Sequence, residues 1–287
     1  MQARAPIGRP ESDQQFGVID GSDFEQLAAF ILSATGIQLP PAKKTMVEGR
    51  LRRRVRALGL ASLSDYCRLV FEAEDSNDEA VHLIDAITTN KTDFFREPAH
   101  FDFLARTALP EVAADGRPAK LWSAACSIGA EPYTLAMVLS DFALSHPAFH
   151  FSILASDIST AVLAKAARAV FPEEMIEPVP MHMRRRYLLR SNDPAKSTVR
   201  MTSEIRRLVR FSRINLVEDK YPVDRDLDVI FCRNILIYFD KETQRAVLLQ
   251  LCSHIRPGGY LILGHTDSLA GMSLPVEWLG NSIFRRA

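Results

Sequence analysis

From Lys120 onward, short apolar runs alternate with helical stretches, and this rhythm constrains the fold more than any other feature of the chain. "KLWSAA" (120–125) reads as a strand and "PYTLAMVLSDFAL" (132–144) as a helix; "HFSILASD" (150–157) and "ISTAVLAKAARAV" (158–170) repeat the pair. Strands separated by helices pair in parallel, with the helices covering both faces of the sheet. A proline-bearing, arginine-rich segment interrupts the rhythm between about 171 and 210. It resumes with "VRFSRIN" (209–215), the strand "LDVIFCRN" (227–234), a helix over Lys241–Ile255, a turn and strand in "RPGGYLILGH" (256–265), and one final strand in "WLGNSIFRRA" (278–287). The expected class is α/β.

The chain before this point is helical throughout. "DFEQLAAFILSATG" (23–36) begins with a cap at Ser22 and stops at Gly36. "AKKTMVEGRLRRRVRALG" (42–59) places Met46, Leu51, Val55 and Leu58 near helical spacing and ends at Gly59. "SLSDYCRLVFEA" and "NDEAVHLIDAIT" complete a small helical unit. The expected organisation is a loose polar tail over 1–20, a helical domain over 21–88, a linker over 89–97, and an α/β domain over 98–287 with an insert at about 171–212.

Composition narrows the function. Of 287 residues, 47% are hydrophobic and 24% charged, as in water-soluble globular domains. Formal net charge is zero, so no global field favours nucleic acid or an anionic membrane. No apolar run is long enough to span a bilayer, and the N-terminus has no apolar leader. Cys67, Cys126, Cys232 and Cys252 lack metal-ligand spacing, so reduced thiols in a cytoplasmic protein and no metal are expected.

In a doubly wound sheet, ligands bind beyond the carboxyl ends of the strands. After the first strand the loop is "ACSIGAEP" (125–132), too poor in glycine for a dinucleotide fingerprint. Glu131, beside the helix start, complements the helix dipole and would repel a pyrophosphate there. The second strand ends at Asp157, which either accepts hydrogen bonds from a ribose diol or caps the next helix. Together the two carboxylates suit a nucleoside with a cationic tail, and S-adenosylmethionine fits that description.

At this point a resemblance enters. "TTNKTDFFRE" (88–97), "WSAACSIGAEPYTLA" (122–136), "ASDIS" (155–159), "RINLV" (213–217), "FCRNILIYFD" (231–240) and "GHTDSL" (264–269) occur in an order that resembles the chemotaxis receptor methyltransferases, the CheR family. The likeness covers about Asp23 to Arg286. It implies a Rossmann-like class I S-adenosylmethionine-dependent methyltransferase domain, an N-terminal helical domain and a small inserted β subdomain. It implies an enzyme that esterifies glutamate side chains of chemoreceptors for sensory adaptation. Carried over by motif, Asn90, Thr92 and Arg96 line the cofactor pocket from the linker. Glu131 lies near the methionine moiety, Asp157 at the ribose, and Asn215 and Leu216 at the adenine. Arg233 and Asn234 form the pocket floor, with Tyr238 near the transferred methyl. Two departures stand out: Ala130 replaces an acidic residue found in many members, and "GHTDSL" replaces the commoner G-H-S-E start.

The chemistry agrees with this residue set. A glutamate carboxylate, with an unperturbed pKa of about 4.3, is already ionised at neutral pH, so an in-line displacement needs no general base. A desolvated carboxylate needs a cationic partner, and Arg96 and Arg233 are both candidates. Tyr238 either orients the carboxylate or faces the sulfonium. Phe94 and Phe95 read as core. Arg50, Arg53 and Arg54 lie on one helix that family members use to meet acidic receptor methylation helices. In some members the β subdomain binds a receptor C-terminal tether peptide by adding a strand, although the loop "RSNDPAKSTVR" (190–200) here has no glycine. A monomer without nucleic-acid or membrane-inserting partners is expected. The alternatives are a nucleic-acid methyltransferase on the same cofactor fold and a non-catalytic cofactor-binding signalling module.

Overall fold

The computed structural model describes residues 16–72, 77–88, 90–193, 195–269 and 271–287. The chain divides into two compact units, 1–88 and 89–287.

The first unit contains α1 (Gly21–Thr35), α2 (Lys44–Leu58), α3 (Leu63–Glu72) and α4 (Asn77–Ile87). Its core is built from one stripe per helix: Phe24, Leu27 and Ile31; Val47, Leu51 and Val55; Leu63 and Tyr66; Leu83 and Ile87. The stripe of α2 has i, i+4 spacing. Met46 and Leu58, which the spacing grouped with it, lie at its edges and are exposed. The cap of α1 is Asp20 and not Ser22. The Asp20 carboxylate accepts from the Asp23 N–H at 2.7 Å, and the Ser22 hydroxyl donates to the same oxygen. The expected tail to residue 20 is shorter at its inner end. Phe16 and Ile19 are buried, the Ile19 N–H donates to Glu48 Oε1 at 3.1 Å, and the Leu63 N–H donates to the Phe16 carbonyl. The rest of that tail lies outside the described residues.

The second unit is built on a seven-stranded sheet in the order β6-β2-β1-β7-β8-β10-β9. The strands β1 (Ala119–Ala124), β2 (Phe151–Asp157), β6 (Val209–Arg213), β7 (Leu227–Cys232) and β8 (Ile255–Leu263) run parallel. β1 and β7 are almost entirely buried, as strands covered on both faces must be. The helices α7 (Ala130–Ser145), α8 (Thr160–Arg168) and α11 (Lys241–His254) supply connections between them. The last segment holds two strands where the sequence suggested one. β9 (Val276–Gly280) and β10 (Ile283–Arg286) form an antiparallel hairpin, turned by Asn281 (φ 48°) and Ser282 (φ 58°). Two left-handed residues give the turn that matches strand twist, here without the Asn-Gly pair that usually marks it.

A helical stretch over residues 99–114 also escaped the sequence reading. It passes through a π-helical turn, Leu104–Ala108, just before Pro110, which has no N–H to donate. The insert is a three-stranded antiparallel sheet, β3 (Val170–Pro172), β5 (Thr198–Met201) and β4 (Leu188–Arg190), with α9 (Met181–Tyr187) ahead of β4. It shares its core with the main domain: the Phe171 ring meets Phe94 edge-on at 4.9 Å and Tyr133 at 6.0 Å.

At the N-terminal edge of the sheet, the fully buried Asp228 on β7 gathers three donors. It accepts from the Lys120 N–H at 2.8 Å, from Arg256 Nε at 2.7 Å and from the Arg117 guanidinium. This carboxylate ties β1, β7 and β8 together away from the ligand end. Asp228→Ala is expected to lower the unfolding free energy by about 3 kcal/mol, the low end for breaking a buried ion pair, because both arginines keep some solvent. Chemical denaturation monitored by circular dichroism checks this.

Candidate active site

The strand order reverses at β1, which has β2 on one side and β7 on the other. The loops leaving β1, β2 and β7 therefore meet at one crevice. Backbone strain is concentrated around it. Ala125 (φ 60°), Ser127 (φ 52°) and Asn234 (φ 58°) are left-handed, as are Phe95 (φ 52°) and Glu97 (φ 57°) in the linker. Each costs about 1 kcal/mol or more, and such residues persist where surrounding contacts hold them. Gly129 (φ 96°) opens α7, and a Cβ there would lie 2.9 Å from the Ala166 Cβ. Only glycine permits this turn with α8 so close.

Asp157, at the end of β2, holds the loop after β1. Its Oδ2 accepts from the Ser127 N–H at 2.8 Å and its Oδ1 from the Ser159 N–H at 3.0 Å. The cap of α8 is Ser159, whose hydroxyl accepts from Val162, so Asp157 is not the cap. The Ser127 hydroxyl donates to the Asn90 carbonyl at 3.0 Å, which brings the linker to the same place. Beyond β6, the Ile214 N–H donates to the Asp157 carbonyl, Asn215 Oδ1 accepts from the Val217 N–H, and the buried Leu216 receives the Tyr221 hydroxyl on its carbonyl at 2.6 Å.

Arg233, just past β7, is the electrostatic centre. Its guanidinium is 2% exposed and lies 3.1 Å from Glu131 Oε2 and 3.1 Å from Glu97 Oε2; it also donates to the Arg96 carbonyl and lies over the Phe101 ring. Burial raises the pKa of Glu131, opposed by Arg233 and by the Ser123 hydroxyl at 2.7 Å. Burial also pushes Glu97 up, but Arg233 and the Asn234 amide outweigh it and leave Glu97 below its ordinary value. Asn234 donates through its side-chain amide to Glu97 and Thr266 and through its N–H to Asp267 at 2.7 Å. Asp267 also accepts from the Gly264 N–H.

Arg96 differs from Arg233. It is partly exposed, donates to the Lys91 carbonyl at 3.2 Å and, among the described residues, forms no salt bridge. Tyr238, on the short turn Leu236–Tyr238, and Thr92, in the linker, are also partly exposed. Phe94 is buried in the core, and Phe95 packs on Phe101. In the first unit, Arg50 donates to the Ile87 and Thr88 carbonyls at the end of α4, and Arg54 forms a two-pronged pair with Glu79 at 2.7 and 2.6 Å. Arg53 is the exposed member of that predicted trio.

Sequence reasoning missed Glu97, His100 and Asp267 as site-building residues. Nothing in their periodicity marks them; Glu97 ends "TTNKTDFFRE" and Asp267 lies within "GHTDSL". Glu97, His100 and His265 place potential ligand atoms within 4.8 Å of one another. The cation beside Glu97 is nevertheless Arg233, and both Glu97 oxygens already accept hydrogen bonds. Cys126 and Cys232 are buried, and burial drives both thiols well above their ordinary pKa, so neither presents a thiolate nucleophile.

His100 is fully buried, with Nε2 2.7 Å from the Asn281 carbonyl. Burial and then the Arg233 charge depress its pKa to about 4. The unfolded chain therefore binds a proton near pH 6.5 that the folded chain refuses until about pH 4. Stability from this group is complete above 6.5 and is lost as pH falls through that window, by about 3 kcal/mol. His100→Gln keeps a donor for Asn281 and removes the titration, so its unfolding free energy should fall less steeply than wild type between pH 7 and 4 in urea titrations.

Comparison with known proteins agrees with this architecture. Residues 22–88 match the all-alpha domain of CheR methyltransferases and residues 90–282 their SAM binding domain. The chain is 38% identical over 265 residues to chemotaxis protein methyltransferase 2 of Pseudomonas aeruginosa, covering 92% of this chain and 93% of the relative. It is 35% identical to the chemotaxis protein methyltransferase of Salmonella typhimurium, covering 93% and 90%, and 34% identical to that of Escherichia coli, covering 93% and 91%. With both domain matches and these relatives spanning nearly its whole length, the chain belongs to the CheR methyltransferase family.

Proposed function

We propose that this protein transfers a methyl group from S-adenosylmethionine to glutamate side chains of chemoreceptors, forming methyl esters, and that it acts as a cytoplasmic monomer. The relatives carry chemotaxis methyltransferase names, and the matched domain is a SAM binding domain. The observation that carries the site assignment is the contrast between two arginines: Arg233 is enclosed by Glu97 and Glu131, while Arg96 is partly exposed without an ion pair among the described residues.

The donor set fits the cofactor. A carboxylate at the end of β2 and a loop after β1 without a glycine-rich phosphate cradle suit ribose hydroxyls and no pyrophosphate. Asp157 accepts from the ribose, Asn215 and Leu216 border the adenine, and Glu131 lies toward the methionine moiety. Asn90 and Thr92 close the pocket from the linker, with Arg233 and Asn234 below. S-adenosylmethionine supplies an electrophilic methyl on a sulfonium. Arg96 holds the receptor carboxylate as a two-donor fork, and Tyr238 orients it through its hydroxyl or faces the sulfonium with its ring. No side chain needs to remove a proton, because the nucleophile is already ionised. No observation favours a nucleic-acid substrate or a non-catalytic module.

For receptor docking, Arg53 supplies the surface charge on α2, and the exposed Arg56 lies one turn further along. Arg50 and Arg54 serve this face by fixing α2 to α4. A receptor C-terminal tether peptide would add to the open edge of the small sheet at β4, where Leu189 is exposed.

Two variants separate the roles. Asp157→Ala should weaken S-adenosylmethionine binding by about 2 kcal/mol in calorimetry, whereas Arg96→Ala should lower kcat for receptor methylation by at least about a hundredfold. Unchanged cofactor affinity in a folded Asp157→Ala protein removes the ribose role. Arg53→Glu should raise the receptor KM several-fold and leave cofactor affinity intact, and the wild-type reaction should slow as salt rises. Receptor kinetics unaffected by either change would leave α2 as an ordinary solvated face.

A further inference from the structure

Glu97 has no assigned part in methyl transfer, yet its carboxylate joins three loops of the site. It is 3.1 Å from the Arg233 guanidinium, accepts from the Asn234 side-chain amide at 3.2 Å, and accepts from the His265 N–H at 3.3 Å. These partners follow β7 and β8, while Glu97 itself belongs to the linker. Its backbone is left-handed at φ 57°, an arrangement that a non-glycine residue holds only against a penalty. The next residue, Pro98, leads into α5 (Ala99–Phe103). Arg96, one residue earlier, gives its carbonyl to the same guanidinium. The backbone that carries Arg96 is thus fastened to Arg233 at two consecutive residues.

We propose that Glu97 is a positioning residue for methyl transfer, acting through Arg233. Its charge gives the Arg233 guanidinium a second counter-ion beside Glu131, which keeps that guanidinium away from the incoming receptor carboxylate and leaves Arg96 as the group that grips it. Two cations competing for one carboxylate would hold it out of line with the methyl group; in-line geometry requires that one be neutralised. Glu131 meets the guanidinium at Nη1 and Glu97 meets it at Nη2, so each carboxylate answers a different side of the cation. This proposal rests on the assignment of Arg96 as the carboxylate clamp, which Arg96→Ala tests on its own.

The experiment compares Glu97→Gln, Arg233→Gln and the double variant, with purified receptor and labelled S-adenosylmethionine. Glutamine keeps an acceptor for Asn234 while it removes the charge and the acceptor oxygen that faces Arg233 and the His265 N–H. Glu97→Gln is expected to lower kcat about tenfold or more. The receptor KM should stay level or fall, since a less compensated Arg233 attracts the anionic substrate. Cofactor affinity by calorimetry should change less than about threefold. In the double variant, Glu97→Gln should add less than about twofold to the loss caused by Arg233→Gln, as expected for residues acting as one unit. Wild-type kcat in Glu97→Gln, or losses that multiply in the double variant, would overturn the proposal. So would a drop in Tm and cofactor affinity together with a raised receptor KM, which marks a purely structural role. If wild-type protein leaves receptor glutamates unmethylated, it is the functional assignment that fails; if it methylates them and the cycle is additive, only the role of Glu97 fails.

Discussion

The site depends on one buried cation held between two carboxylates. Arg233 follows the central strand β7, and its guanidinium bridges Glu131 at the start of α7 and Glu97 in the linker. Each partner comes from a different stretch of chain, so the ion triad fixes the distance between the sheet, its first helix and the segment entering from the helical domain. Removing one member of such a buried set leaves an uncompensated charge and costs about 3–5 kcal/mol. The triad also divides labour between two arginines that look alike in sequence. A buried guanidinium paired with two carboxylates is structural, whereas a partly exposed one remains available to a substrate.

The remaining site contacts convert that fixed point into a pocket. Asp157 draws the loop after β1 onto the end of β2 through the Ser127 N–H, and Asp267 draws Asn234 onto the end of β8. Both loops are held in left-handed conformations that short polar contacts must compensate. Gly264 permits the second approach, because a Cβ there would fall 2.3 Å from the Asn234 side chain. The substitution of aspartate for the commoner glutamate in "GHTDSL" therefore leaves a functioning anchor at Asp267. At the opposite edge of the sheet Asp228 plays the stabilising part, so carboxylates fasten both ends of β7.

Much of the fold was legible in the sequence because its signals are local and repeated. Strand–helix alternation gave the parallel sheet, and Gly36 and Gly59, both left-handed, ended helices where expected. The misses share a cause: tertiary contact outweighed local pattern. Asp20 displaced Ser22 as a cap, a π-helical turn disguised the helices before β1, and Asn281-Ser282 turned a hairpin without the usual glycine signal. For the site, Asp157, Glu131 and Arg233 were named from the crevice rule and the motif resemblance. Glu97 and Asp267 were not, since a carboxylate's partner some 137 or 33 residues away leaves no trace in periodicity. The same limit applies to Arg50 and Arg54, whose grouping with Arg53 on one helix concealed their engagement with α4.

The division of roles between the two arginines is the central claim, and a crystal structure of the protein with S-adenosylhomocysteine and a glutamate-bearing receptor methylation peptide tests it most directly. The expected result has the Arg96 guanidinium within hydrogen-bond distance of the peptide carboxylate while Arg233 remains between Glu97 and Glu131. A peptide carboxylate bound by Arg233, with its bridge to either glutamate broken, would contradict the account.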